Sequence, residues 1–432
     1  MKTTGFAVLI LLVSCSVLQS ADWPQWRGPN RDGISAETGL LKQWPPAGPS
    51  LLWEKAGLGE GYSSVAVVGD IIYATGKIDA NEYCTALDLE GNVKWQTDYG
   101  RAWYKDTHRH ARCTPTVRDN HIYLITGLGD VSCLNRNDGT VLWKVDGLKR
   151  FGGSGHEIQG IAESPLVINN KVIFTAGGGR TSVTALNCST GRTLWTSRSV
   201  GGTPCFVSPL CMRINNRDII IASTAEALIG VYADNGRIAW RNSDINWAVT
   251  PAYDNDCFYN GHKLFRISGD SNQLQEIWAN ELIAGQSHFI RLGNRLYGSM
   301  REPPGMGFQL TCLDWQTGKV LYKSSRILNA ALIAADGMLY SYEQGRGRVS
   351  LIKPGLEDVE IVGSFRISKG RGPHFAHPAI SNGRLYIRHG DYLMVYDIRD
   401  KVGKNKKTLG NDKVLYGALK FSKRPFWTVS TN

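Results

Sequence analysis

The stretch "NDGTVLWKV", Asn137–Val145, decides the fold of this chain. Its Asp138-Gly139 pair predicts a tight turn, because glycine adopts a positive φ without steric cost. The residues that follow alternate in polarity and end on a large aromatic, Trp143, as is typical of a half-buried strand. Related stretches recur along the chain, so the repeat marks either a ligand site or a packing unit.

The repeat occurs eight times and always ends on an aromatic residue. The copies are about 45 residues apart, which is the period of a propeller blade. Each unit reads as four short strands separated by Gly and Asn turn signals, and its aromatic is predicted to pack on the neighbouring blade. The terminal aromatics are Trp53, Trp95, Trp143, Trp195, Trp240, Trp278, Tyr322 and Phe365.

The two ends of the repeat array complement each other. The last unit, residues 377–398, contains three strands and no fourth, whereas "SLLWEK" at Ser50–Lys55 is a fourth strand without a blade. Pairing these two pieces closes the ring and removes its exposed edges. The sequence therefore predicts an all-β fold, an eight-bladed β-propeller over residues 51–400 closed by an N-terminal strand.

The first residues are typical of an export signal. Lys2 precedes the apolar run Phe6–Val13, which is too short to span a bilayer. Two interpretations remain open: a signal peptide over residues 1–21, or a lipoprotein signal over residues 1–14 after which Cys15 carries lipid. Either predicts an exported protein of the bacterial periplasm or outer membrane. The proline-rich residues 22–50 are predicted to form an extended leader.

The positive charge of the chain is concentrated at its C-terminal end. Residues 401–432 carry eight basic residues and one acidic residue, which is +7 of the total net charge of +11. The remainder is not a nucleic-acid-binding surface, and we expect no nucleic-acid partner. The tail itself is predicted to be a solvated basic extension.

The cysteine spacing argues against a zinc site or a redox dithiol. Eight cysteines follow Cys15, with no CxxC motif and no adjacent pair. Cys133 and Cys312 occupy the repeat position that Ala86 and Ala185 hold in other copies, so they are predicted to be small core residues. Cys205 and Cys211 are close enough in sequence to pair locally, although free thiols are the favoured expectation.

Polar side chains concentrate in the loops that precede the innermost strands, which we call the mouth loops. In a propeller these loops surround one mouth of the central channel. Six of the nine histidines fall there. A ring of His, Arg, Glu and Trp can bind an anionic or sugar-like ligand, whereas the alternative is a solvated funnel. No catalytic residue and no metal site are assigned. The candidate ligand-binding residues are Arg112, His156, Glu157, Glu163, Trp247, His288, Arg301, His374 and His377.

The repeat resembles a known one. Copies such as "ALNCSTGRTLW" fit the pattern A-[LD]-[DN]-x-x-T-G-x-x-x-W of the PQQ-like repeat over roughly residues 50–400. Quinoprotein alcohol dehydrogenases and the lipoprotein of the outer-membrane barrel-assembly machinery share this repeat. No tryptophan is followed by Asp, which argues against WD40 repeats, and Gly-Gly pairs are not periodic, which argues against kelch repeats.

The resemblance implies two functions. The first is an exported, non-catalytic scaffold that binds an envelope protein or a glycan, and we expect it to be a monomer without a cofactor. The second is a PQQ- and Ca²⁺-dependent oxidoreductase of alcohols or sugars. Quinoprotein dehydrogenases carry adjacent cysteines over the quinone and often a CxxCH haem motif, and this sequence has neither. The scaffold interpretation is therefore favoured.

Overall fold

Eight sheets make up the folded part of this computed structural model, each built on four strands, and two of them carry one additional short strand. The structure describes residues 21–105, 110–157, 159–245, 248–270, 272–285, 288–305 and 307–401. The export signal with Cys15 and the basic tail from residue 402 lie outside these ranges. Within the described ranges, no helix has the length and apolar character of a membrane span.

Each sheet is one blade. In blades 1 to 7 the four strands run in sequence order from the channel to the rim, whereas the rim strand of blade 8 comes from the N-terminal end of the array. Blades 1 to 4 comprise Ala66–Val68, Ile71–Ile78, Asn81–Asp88 and Val93–Arg101; Thr116–Arg118, His121–Ile125, Asp130–Asn135 and Val141–Asp146; Leu166–Ile168, Lys171–Thr175, Val183–Asn187 and Thr193–Thr196; Leu210–Ile214, Arg217–Thr224, Ala227–Tyr232 and Ile238–Asn242. Blades 5 to 8 comprise Ala252–Asp254, Cys257–Tyr259, Lys263–Ile267 and Leu274–Ala279; Ile290–Leu292, Arg295–Arg301, Gln309–Asp314 and Val320–Leu328; Ala330–Ala335, Met338–Glu343, Arg348–Pro354 and Val359–Arg366; Ala379–Ser381, Arg384–His389, Tyr392–Asp397 and Ser50–Lys55. Short additions are the strands Ile34–Ser35 and Ile283–Ala284 and the helix Gly147–Phe151.

The predicted closure of the ring is confirmed. Ser50–Lys55 pairs antiparallel with Tyr392–Asp397, the third strand of blade 8, and Trp53 lies opposite Val395. The eighth blade thus takes three strands from one end of the array and one from the other. No blade edge is left open at this junction, because the N-terminal strand supplies the missing rim strand.

The repeat is a packing unit between blades. The Trp143 ring lies over Gly191 of the next blade, where a Cβ atom would come within 2.8 Å of it. Its Nε1 also donates a hydrogen bond of 2.7 Å to the Cys188 carbonyl in that blade. Trp95 covers Gly139 in the same way, at 2.5 Å. The turn glycine is therefore needed both for its positive φ and for its missing side chain.

Two junctions depart from this arrangement. The glycine in the last turn of blade 5, Gly269, is not covered by a ring, because a Cβ atom there would meet the Asn215 side chain at 3.0 Å. Trp240 of blade 4 instead stacks on Phe258 with ring centroids 5.8 Å apart. The Trp240 Nε1 atom has no hydrogen-bond partner among the described residues. At the junction between blades 6 and 7, the Tyr322 hydroxyl donates to the Gly355 carbonyl at 3.2 Å.

The first half of the leader, residues 22–35, lies against the innermost strands, whereas Trp44 in its second half donates its amide to the Val362 carbonyl in the rim strand of blade 7. The backbones of Trp23 and Val67 in blade 1 exchange two hydrogen bonds of 2.8 Å, and the Pro24 carbonyl accepts one from the innermost strand of blade 2. Ile34–Ser35 pairs in parallel with the innermost strand of blade 7. The Ser35 hydroxyl donates to blade 8 at 3.4 Å. The first half of the leader thus lines up against innermost strands on opposite sides of the ring and fills the space between them.

Two buried arginines connect the leader to the remaining blades. Arg31 is 2% exposed. It donates to the carbonyls of Ser164, Pro165 and Pro209 in blades 3 and 4. Arg27 donates to the Phe289 carbonyl, next to the innermost strand of blade 6, at 2.6 Å. Burial lowers the pKa of both guanidinium groups to about 10, so they stay charged at neutral pH and are held by carbonyl dipoles.

Candidate functional site

A cavity of about 160 Å³ lies where the mouth loops meet the leader. The mouth loops of blades 1 to 6 and of blade 8 line it, and blade 7 contributes Gln344 from the loop between its second and third strands. The leader contributes Trp26. Four of the residues proposed from sequence line this cavity: Arg112, Glu163, His288 and His377.

A ladder of hydrogen bonds fixes the wall of the cavity. The Ser64 amide donates to the Thr114 hydroxyl at 3.0 Å, and the Thr114 amide donates to the Ser164 hydroxyl at 3.0 Å. The Ser164 amide continues the ladder to the Ser208 hydroxyl at 2.9 Å. Each of these three hydroxyl residues directly precedes a proline at the start of an innermost strand. Because each hydroxyl accepts an amide hydrogen bond from the preceding blade, the three residues hold four mouth loops in register.

His288 plays the same part at blade 6. Its Nδ1 atom accepts the Thr250 amide at 2.9 Å, so the neutral ring carries its proton on Nε2. Burial, with smaller contributions from His377 and Arg27, holds the pKa of His288 well below its ordinary value. A charged His288 would lose this acceptor, and we conclude that the ring is neutral and positions the mouth loop.

Three rings form one side of the cavity. The Trp26 ring centroid is 4.9 Å from that of His288 and 5.8 Å from that of His377, and the two histidines are 5.0 Å apart. Burial, and then the nearby Arg27 charge, lowers the pKa of His377 to about 3. Its Nδ1 atom is buried without a hydrogen-bond partner among the described residues. Both histidines therefore act as neutral polar rings at physiological pH.

Arg112 brings a positive charge to the cavity wall. Burial lowers its pKa to about 10, which still leaves it protonated. Its Nε and Nη2 atoms are buried and have no hydrogen-bond partner among the described residues. The nearby Glu82 carboxyl is already engaged, by the Gly127 amide at 2.9 Å and the Tyr99 hydroxyl at 2.5 Å. Burial raises the pKa of Glu82 to about 7, so it neutralises Arg112 only in part at neutral pH.

Glu163 is the carboxyl group in the cavity wall. One oxygen accepts the Thr175 amide at 2.8 Å, and the other is buried without a partner among the described residues. Burial raises the pKa of Glu163 to about 8, against the opposing effects of the Thr175 hydrogen bonds and the Arg31 charge. At neutral pH the group is therefore mainly a neutral carboxylic acid.

Four other residues proposed from sequence, His156, Glu157, Arg301 and His374, do not line the cavity. Glu157 is exposed, and His156 contacts two lining residues without lining the cavity itself: its ring centroid is 5.4 Å from that of Phe206, and its Nδ1 atom accepts the Gln159 amide at 3.3 Å. Arg301 donates to the Gly305 carbonyl at 3.1 Å. His374 stacks on His389 at 3.7 Å, and burial lowers its pKa to about 4. Trp247 lies outside the described residues.

The described residues contain no group of three or more His, Cys, Asp or Glu side chains arranged to hold a metal ion. All eight described cysteines are free thiols, including Cys205 and Cys211. Cys133 and Cys312 are fully buried in the hydrophobic core, as their repeat position predicted.

Comparison with known proteins identifies the family. A family model described as outer membrane protein assembly factor BamB matches residues 34–242 and 80–324, which together cover more than half of the chain. The chain belongs to this BamB family. The predicted PQQ-like repeat is thereby confirmed. No curated protein matches the chain.

Solved structures show how widely the BamB-family fold is shared. BamB from Moraxella catarrhalis is 14% identical with a TM-score of 0.58, and the match covers 81% of this chain and 98% of that one. A europium-containing methanol dehydrogenase is 13% identical with a TM-score of 0.64, covering 86% and 90%. Quinohemoprotein alcohol dehydrogenase from Comamonas testosteroni is 12% identical with a TM-score of 0.63, covering 92% and 82%. At such identities the likeness shows the fold alone.

Sequence reasoning missed the aromatic part of the site. In this BamB-family chain Trp26, Tyr62, Phe206 and Phe375 line the cavity, and none was proposed as a site residue. Three of them lie in mouth loops, so the signal was present in the same segments as the histidines. Trp26 was missed because the leader was expected to be a strap, and nothing in its sequence places it in the channel.

Proposed function

We propose that this BamB-family protein is an exported, non-catalytic binding propeller whose partner is an envelope protein or a glycan. The family description as an outer membrane protein assembly factor supports a protein partner. The apolar N-terminal stretch supports export to the periplasm or outer membrane, with Cys15 as the candidate lipid attachment site.

The observation that carries this proposal is the first half of the leader inside the channel. A propeller that holds a large cofactor needs an open cavity, and sites for drug-sized ligands usually measure about 300–1,000 Å³. Here the leader and the mouth loops leave about 160 Å³. A rigid, internally filled ring is suited to presenting its loops and rim to another macromolecule.

Glycan recognition is the second candidate, and the lining of the cavity favours it. Trp26, Tyr62 and Phe375 offer ring faces or edges, while Gln159 and Gln344 offer amides beside them. Sites that combine aromatic walls with a few fixed polar groups are suited to orienting a polar ring-shaped ligand. The cavity size would admit one terminal sugar rather than a chain.

The residues of the site do not fit PQQ with Ca²⁺. Calcium takes six to eight oxygen ligands, usually several of them carboxylates. Glu163 is the single carboxylate among the described residues that line the cavity, and it is held by Thr175 and near Arg31. Cys113 is buried beside these residues with no neighbouring cysteine in sequence. The donor set thus supports a binding role over the oxidoreductase alternative.

The test of the proposal is a purified complex. The tagged full-length chain should recover one envelope protein from mildly solubilised membranes, and the two purified proteins should form a complex again in size-exclusion chromatography. An unrelated tagged exported protein serves as the control. Envelope glycans are tested in parallel on the same purified chain. The proposal fails if neither a protein nor a glycan binds the purified chain.

A second experiment addresses the oxidoreductase alternative. The purified chain is incubated with PQQ and Ca²⁺, and dye reduction is followed over alcohols and sugars. We expect no turnover above the protein-free reaction. Alcohol- or sugar-dependent turnover that requires both PQQ and Ca²⁺ would replace the scaffold proposal.

A further inference from the structure

The cavity at the mouth has a positively charged wall. Arg112 contributes a charged guanidinium with two buried nitrogens that have no hydrogen-bond partner among the described residues. Glu82 is the carboxyl group that acts on Arg112, and Glu163 is the one that shares the cavity lining with it. Because both are buried, they are largely or partly protonated at neutral pH. The wall therefore carries an excess positive charge at neutral pH.

Other residues of the cavity lining also carry polar atoms without a partner. Ser64, Glu163 and His377 line the cavity, and the Ser64 hydroxyl, the second Glu163 oxygen and the His377 Nδ1 atom are buried with no hydrogen-bond partner among the described residues. Buried polar groups in native proteins are nearly always satisfied, by protein, water or ligand. A guanidinium with free N–H groups recognises a planar anion best, because its fork matches the two oxygens of a carboxylate.

We propose that the mouth cavity binds a carboxylate group of a small polar ligand, with Arg112 as its anchor and Trp26 of the leader as one wall. This inference rests on the mouth being a binding site, the second candidate above, and is independent of any protein partner. The ligand is either a free small organic acid or a uronic acid at the end of a glycan. A water molecule takes up roughly 30 Å³. The cavity of about 160 Å³ therefore admits a few carbon and oxygen atoms around the carboxylate.

The two sources of the carboxylate, a free acid and a glycan end, are distinguished with pairs of probes in which one member carries a carboxylate and the other does not. Lactate against lactamide tests a free acid, and glucuronate against glucose tests a glycan end, each by calorimetry on the full-length chain. We expect at least one acid to bind about tenfold or more tightly than its neutral counterpart, because charge-assisted hydrogen bonds are roughly twice as strong as neutral ones. In Arg112→Gln this preference should disappear. The control Arg301→Gln, outside the cavity, should retain it.

A pH titration tests the site without relying on the stability of Arg112 variants. Glu163 faces Arg31 of the leader and Cys113 of the blade 2 mouth loop, and it shares the cavity with Arg112, His288 and His377. Its pKa is raised to about 8, so above this pH it becomes a carboxylate that repels a bound carboxylate. Binding of the acid probe should weaken above pH 8 in the natural protein, and Glu163→Gln should remove that loss.

Trp26 gives the experiment a spectroscopic readout. Binding of the acid probe should change the tryptophan emission of the natural protein, and this change should be absent in Trp26→Phe. Equal binding of the acid and its neutral counterpart in both pairs would overturn the carboxylate proposal, and binding of both sugars would then leave the mouth as a glycan site. Absence of binding by all four probes would overturn it as well, and would leave the protein-partner proposal untouched.

Discussion

Single glycines set the spacing between blades. Gly139 has a φ of +76°, and a Cβ atom there would meet the Trp95 ring at 2.5 Å. Sequence reasoning identified the turn and its positive φ, because Asp-Gly is a local signal. It did not identify the ring that rests on the glycine, because that ring comes from the preceding blade and no local pattern states which surface it faces.

A pair of alanine substitutions separates these two requirements. Gly337 has the same φ of +76°, but a Cβ atom there would contact nothing within 4 Å. Gly337→Ala should lower the free energy of unfolding by about 1–2 kcal/mol, the cost of the left-handed backbone. Gly139→Ala should lower it by a further ~1–3 kcal/mol, because the methyl group displaces the ring. Chemical denaturation measures both variants, and equal losses would contradict the packing role of Gly139.

At the scale of elements, the leader is the largest difference between expectation and structure. Its prolines predicted an extended strap, but residues 25–33 form successive turns in which Arg27 and Arg31 have a positive φ. Its location also followed from no local signal. The channel accepts it because Arg27 and Arg31 find backbone carbonyls at the innermost strands. Every residue has a backbone carbonyl, so the sequence does not show which carbonyls the two arginines will reach. Their partners are defined only once the strands are arranged in a ring.

Removing the Arg31 side chain should show how much the leader stabilises the ring. Arg31→Met leaves three carbonyls of blades 3 and 4 without their donor, and we expect the free energy of unfolding to fall by about 3–5 kcal/mol. The control is Arg213→Met, which removes a half-exposed arginine that pairs with Asp218 at 3.0 Å. Exposed pairs of this kind contribute at most about 1 kcal/mol. A similar small loss in both variants, measured by thermal or chemical unfolding, would show that the leader is only loosely held.

At the scale of the whole molecule, buried titratable groups give stability a pH dependence of predictable sign. Glu163 keeps its proton in the folded state up to about pH 8, whereas its ordinary value is 4.5, so folding is progressively disfavoured as the pH rises between them. His377 is neutral in the folded state down to about pH 3, whereas its ordinary value is 6.5, so stability falls as the pH drops below 6.5. The two trends oppose each other in acid, and only the first operates above pH 6.5.

We therefore expect the free energy of unfolding to decline between pH 6.5 and 8. The slope from one such carboxyl is at most about 1.4 kcal/mol per pH unit. Glu163→Gln should flatten the decline, since the amide does not titrate, and the exposed Glu157→Gln in the same loop should leave it unchanged. Urea unfolding at several pH values measures this, and an identical slope in all three proteins would contradict the assignment.

The global architecture was the most predictable level and the site the least. The period of the repeat predicted the number of blades, and the unmatched strand at Ser50–Lys55 predicted how the ring closes. Both features can be read from the linear sequence. The cavity is built from residues of nine different segments, such as those of Trp26, Arg112 and His377, and only their positions in space relate them. Residue type and loop location were enough to nominate four of the cavity residues, but not to separate them from His374 or Arg301.

The junction between blades 8 and 1 has the same packing contact as other junctions of the ring. Trp53 covers Gly91 and donates to the Leu89 carbonyl at 2.7 Å, as Trp143 does with its partners in the next blade. Trp53 comes from a strand that joins blade 8 by pairing alone, yet the contact it makes is the same. The seam of the ring is therefore chemically equivalent to its covalent junctions. A circularly permuted chain that keeps the leader in place, joined at this seam and opened between two other blades, would keep every one of these contacts.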